Sequence, residues 1–117
     1  MNIIKTNADP NNKKLLYKLT KAAALRVQDL EKGTTFPVDL YALYEEDKLK
    51  KDGSTETQTV LAVVSGDTKF ATISATFINS FMECADLMGN DPFAIVITGG
   101  TSKGGRQYVD CELDCDF

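Results

Sequence analysis

The chain has 117 residues, 43% apolar and 26% charged, the proportions of one ordinary globular domain, which excludes wholesale disorder. No run of 18 apolar residues occurs and Met1–Asn7 lacks the apolar core of a signal peptide, so the expectation is a cytoplasmic protein with no membrane span. The formal charge of −4 argues against coating duplex DNA by bulk positive charge, and the absence of histidine removes the commonest general base and metal ligand together.

Residues 1–12 are polar, end in Asp9-Pro10-Asn11-Asn12, and read as a loose leader. Residues 13–32 are ambiguous: Leu15-Leu16-Tyr17-Lys18-Leu19 suits a strand, Ala22-Ala23-Ala24-Leu25 a helix, and Val27–Lys32 a short helical turn before Gly33. Val38–Glu45 is a β-rich run. The charged segment from Glu46 to Ser54, closing on Asp52-Gly53, reads as a long hairpin loop. Thr57–Ser65 and Thr68–Ala75 are two more strands, turned by Gly66-Asp67.

From Thr76 to Met88 the period changes. Phe77, Phe81, Ala85 and Met88 share a face at helical spacing, with Thr76 as candidate N-cap and Gly89 as candidate C-cap. Phe93–Thr98 is a fourth strand, residues 99–105 a glycine-rich loop, and Arg106–Leu113 a fifth strand. The class is therefore all-β with one helix. Three strands, a helix and two strands match a five-stranded OB-fold barrel over residues 13–113, with the helix between strands three and four; an SH3-like barrel or a short α+β domain has a similar string.

Alternation assigns faces. In the third strand Ala71 and Ile73 form the apolar set, which leaves Phe70 on the polar face after Lys69. In the fifth strand Val109, Cys111 and Leu113 point inward, and Tyr108 points outward two residues from Arg106. Alternation does not choose between Tyr41 and Tyr44. An exposed ring beside a cation suits a single-stranded nucleic acid, because any base stacks on it while the cation neutralises phosphate. The plainer alternative is isolated surface aromatics, or a strand that is out of register or covered by the N-terminal segment.

Charge is unevenly placed. Residues 1–28 carry six bases against Asp9 alone, and residues 107–117 carry Asp110, Glu112, Asp114 and Asp116 with no base. That asymmetry fits a basic ligand arm and an acidic partner-contacting tip, or simply two solvated termini. The glycine-rich loop with Lys103 and Arg106 lacks P-loop spacing and leads into a strand, so it is no nucleotide-hydrolase site. Cys84, Cys111 and Cys115 read as reduced thiols with no histidine to activate them, and neither an enzyme nor a cofactor is expected.

Gly33-Thr34-Thr35-Phe36 leading to Tyr44, the block Phe70–Thr76, and Gly100-Thr101-Ser102-Lys103-Gly104-Gly105-Arg106, in that order, resemble the small single-stranded-DNA-binding proteins of tailed phages of Gram-positive bacteria. The resemblance covers about residues 15–113. It implies an OB-fold, sequence-independent coating of single strands, a role in phage DNA replication, and host-cell cytoplasm as the location. It implies stacking on Tyr44 and on Phe70, which stands where the family commonly has tyrosine, and a basic role for Lys103. The proposed contact set adds Tyr108, Lys69, Arg106 and the Lys48, Lys50 and Lys51 loop. The tip 114–117, with Asp114, Asp116 and Phe117, is similar to the acidic tails by which bacterial single-stranded-DNA-binding proteins recruit replication enzymes. The rival from another class is a small acidic module that inhibits a host or defence enzyme as a nucleic-acid mimic.

Overall fold

The computed structural model describes residues 2–21 and 24–117. Its elements are β1 (Asn2–Thr6), α1 (Lys13–Lys21), β2 (Leu25–Arg26), a 3-10 turn (Val27–Asp29), β3 (Thr35–Pro37), β4 (Leu40–Leu49), β5 (Thr55–Ser65), β6 (Thr68–Thr72), α2 (Ala75–Met88), β7 (Ala94–Thr101) and β8 (Gln107–Leu113). The strands form a five-stranded sheet in the order β1-β4-β5-β6-β2 and a three-stranded sheet β3-β7-β8. The protein is β-dominated, and the sheets do not close into a barrel.

One stretch of chain serves both sheets. β3 pairs antiparallel with β7, Thr35 opposite Val96, and after two intervening residues β4 begins its ladder with β5, Leu40 opposite Val64. The bend falls on consecutive amides: Val38 N–H donates to Phe93 O at 2.9 Å in one direction, Asp39 N–H to Val64 O at 3.0 Å in the other. Pro37 needs no donor there. The Asp39 carboxylate also accepts from Gly66 N–H at 2.6 Å, tying the β5–β6 turn to the bend.

The loose leader is not what residues 2–12 form. Asn2–Thr6 pairs with β4, Ile3 opposite Tyr44, and Thr6 Oγ1 donates to Tyr41 O at 2.6 Å. The ambiguous segment is helical from Lys13, with Asn12 Oδ1 accepting from Leu15 N–H at 3.1 Å as cap. Ala22 and Ala23, part of the expected alanine helix, lie outside the described residues; Leu25 and Arg26 extend instead and pair in parallel with β6. The 3-10 turn packs against both β6 and β8, and its Val27 is buried in the core between them. A side chain from the N-terminal segment thus joins the core shared by the two sheets.

Two corrections concern caps and loops. α2 starts at Ala75 with Ser74 as N-cap, not Thr76, and Ser74 Oγ accepts from Phe77 N–H at 3.4 Å. Gly89 ends it as expected, at φ +58° with its N–H on Ala85 O. The charged segment after Glu45 is strand as far as Leu49, because Gln58–Glu46 and Thr57–Asp47 side-chain hydrogen bonds satisfy its polar groups across the ladder. Only residues 50–54 turn.

The centre of the five-stranded sheet is buried on both faces. One face carries Tyr41, Leu61, Val63 and Phe70 against α2 (Phe77, Phe81, Ala85) and against Ile95, Ile97 and Cys111 of the other sheet. The opposite face carries Ala42, Tyr44, Val60 and Ala62 under Leu19 of α1 and Ala8. Burial raises the pKa of Tyr41, Tyr44 and Cys84, and pushes the Cys111 thiol up to about 12. A group whose folded pKa is raised contributes stability that is complete below its unfolded pKa and is lost as pH rises through the folded value. Melting temperature should therefore hold to about pH 9 and fall steadily above it. Cys111→Ala should flatten the part of that fall that begins near the free-thiol pKa; an unchanged alkaline slope would deny Cys111 the role.

Candidate nucleic-acid interface

The three rings expected to stack lie in three different settings. Phe70 is 1% exposed, 5.3 Å from Phe36 and 6.3 Å, edge-on, from Phe77. The expectation of a wet face fails because both faces of β6 are covered. Phe70 takes the α2 side, Ala71 the α1 side, and Ile73, expected inside, lies past the strand end and is exposed. Tyr44 is 4% exposed beneath α1, and its hydroxyl donates to Thr20 O at 3.1 Å. Both Tyr41 and Tyr44, between which alternation does not choose, are buried, Tyr44 beneath the N-terminal segment.

Tyr108 does point outward, at 45% exposure. It stands opposite Gly100, so close that a Cβ on Gly100 would meet the phenol oxygen at 2.8 Å. Glycine lets the ring lie down on the neighbouring strand. Its companions along the outer face of β8 are Asp110 and Glu112, which present negative charge beside it. Lys103 and Arg106 are exposed in the β7–β8 turn, where Ser102 N–H donates to Arg106 O at 2.8 Å and Gly105 takes φ +80°.

Lys69 is half-buried against α1. Its ammonium donates to Lys18 O at 2.9 Å, a carbonyl of the last turn of α1, and burial lowers its pKa. The tip is folded as well: Asp114 N–H donates to Ala94 O at 2.9 Å, its carboxylate accepts from Asp116 N–H at 3.0 Å, and Phe117 lies exposed beyond this turn. An Asx turn and not a trailing tail presents Asp114, Asp116 and Phe117.

The structure does bring Lys48, Lys50 and Lys51 together. They rim a groove of about 790 Å³ between the far end of the β4–β5 hairpin and the first turn of α2, with Leu49, Ile73 and Ile78 among its apolar lining and Asn79 beside them. Leu49 and Ile73 are both solvent-exposed there. Glu56, 3.6 Å from Lys50, is the acid on the same rim. At the turn Ser54 donates to the Asp52 carboxylate from both its N–H and its hydroxyl, which lowers the Asp52 pKa and keeps that charge local.

Sequence reasoning missed Tyr17. It is 70% exposed on α1, and the signal was available, because Leu15, Leu16 and Leu19 at helical spacing leave Tyr17 on the lysine side. No protein-family model, curated protein or solved structure matches this chain, so the interface rests on its own geometry.

Proposed function

We propose that this chain is a non-catalytic OB-type domain that binds single-stranded DNA without sequence choice, in the service of phage DNA replication. The observation that carries the reading is the groove rimmed by Lys48, Lys50 and Lys51, with exposed Leu49 and Ile73 along it. Cations at the rim suit phosphates, and apolar side chains suit the faces of unpaired bases. Further support comes from the strand bent between two sheets, followed by two strands, α2 and two more strands, the chain order of an OB-fold. The phage and replication parts of the proposal rest on the sequence resemblance.

Titration of a labelled oligo-dT at several salt concentrations tests it. Each phosphate neutralised contributes about −0.7 to the slope of log K against log salt. The triple variant Lys48→Gln/Lys50→Gln/Lys51→Gln should make the slope shallower by about 2 and weaken binding most at low salt. An unchanged slope would remove the groove from the interface, and absence of binding by the unaltered protein would remove the function.

A second reading is favoured by the acidic outer face of β8. Asp110 and Glu112 flank Tyr108, and Asp114 and Asp116 follow in the folded tip, an arrangement that suits an acidic decoy for an enzyme's nucleic-acid site. The same titration separates the two readings, since a decoy binds no oligonucleotide at any salt.

A further inference from the structure

We infer that the outer face of α1 is a second contact surface for single-stranded nucleic acid, with Tyr17 as the stacking ring and Lys13, Lys14, Lys18 and Lys21 as the phosphate contacts. The inference goes beyond the groove and uses none of its residues.

At 100° per residue, the four lysines cover an arc of about 140° with Tyr17 inside it. The leucines occupy the rest of the circumference: Leu15, Leu16 and Leu19 pack with Leu40, Ala42, Val60, Ala62 and Val64. The apolar face is consumed by the sheet, so no apolar side is left to enter a lipid surface. What remains is a ring, 70% exposed, among cations spaced over about 12 Å of helix, the reach of a few nucleotides.

The charge pattern works against the first turn of the helix, while Lys18 and Lys21 in the last turn suit its dipole. Lys13 and Lys14 sit in its first turn, where the helix dipole favours acids, and no acid is present there. Lys14 and Lys18, and Lys18 and Lys21, are like charges at helical contact spacing. The ion pairs among the described residues join Lys5 to Asp86, Arg26 to Asp29 and Lys50 to Glu56, and engage none of the four. Cations that oppose the dipole in the first turn and crowd one another along the face, with no acid paired to them among the described residues, point to a partner outside the fold, and the complementary partner is a polyanion. A nine-residue helix has little stability alone, so packing on the sheet holds these cations in place before any ligand arrives. Tyr17 selects among polyanions, because an unpaired base stacks on a phenol ring and a lipid headgroup does not.

The test compares the full chain with Tyr17→Ser and with Lys13→Gln/Lys14→Gln/Lys18→Gln/Lys21→Gln, using labelled oligo-dT. Tyr17→Ser should weaken binding roughly tenfold, and the lysine variant should make the salt slope shallower by up to about 2.8. Because these exposed substitutions still perturb a short helix, photo-cross-linking of the unaltered protein to an oligonucleotide carrying 5-iododeoxyuridine gives an independent readout: the adduct should map to Tyr17. Unchanged affinity and slope with no adduct at Tyr17 would overturn the inference while leaving the groove intact. Loss only in the Lys48/Lys50/Lys51 variant would do the same; loss only in the α1 variants would sustain it and overturn the groove. Binding to anionic vesicles that matches binding to oligo-dT, and survives Tyr17→Ser, would also overturn it.

Discussion

Phe70→Ala should lower stability by about 3–5 kcal/mol and not act as a selective binding mutation. The ring is fully enclosed, contacts Phe36 and Phe77, and stands on β6 between β5 and β2. Its removal leaves a cavity where the two sheets and α2 converge, and little there is free to collapse into it. Against a total stability of about 5–15 kcal/mol for a domain this size, that is a large share. The melting temperature should fall by about 10–25 °C, measured by circular dichroism. A fall of less than about 3 °C, accompanied by weaker oligo-dT binding, would place the ring in contact with DNA instead.

Tyr44 divides into two effects that two substitutions separate. Tyr44→Phe removes only the hydroxyl that donates to Thr20 O, and should cost about 1–3 kcal/mol, since that buried carbonyl loses its partner. Tyr44→Ala also removes the ring beneath α1 and should cost about 3–5 kcal/mol. The difference measures how firmly α1 is held to the sheet. Equal small losses from both variants, with Tyr44→Ala alone weakening binding, would show that the ring is available to bases and that α1 moves aside.

The sequence made the regular parts of the fold readable where one periodicity dominates. α2 has apolar residues at helical spacing and a glycine stop, and β8 alternates cleanly because only one of its faces is buried, so Val109 and Cys111 point in and Tyr108 out. β6 was misread for the opposite reason. Alternation marks a buried face only when the other face is wet, and here Phe70 and Ala71 both have apolar neighbours, one large ring and one small methyl on successive positions. The cover responsible for the Ala71 face is α1, drawn from the segment whose composition suited strand and helix alike. Its helix depends on tertiary packing, as short lysine-rich segments show weak helical preference alone. The groove lysines were readable as a charged run, but their union with Ile73 and Asn79 depends on long-range placement of α2 that no local pattern encodes.

The bend at Val38-Asp39 has a kinetic consequence. The β4–β5–β6 meander needs only neighbouring segments, whereas β3 must wait for Val96, some sixty positions onward in the chain. Refolding should therefore begin in the meander and finish when the C-terminal hairpin arrives, with the long-separation pairing setting the pace. A cut within residues 50–54 interrupts the early step, while one within 102–105 spares it and burdens the late one.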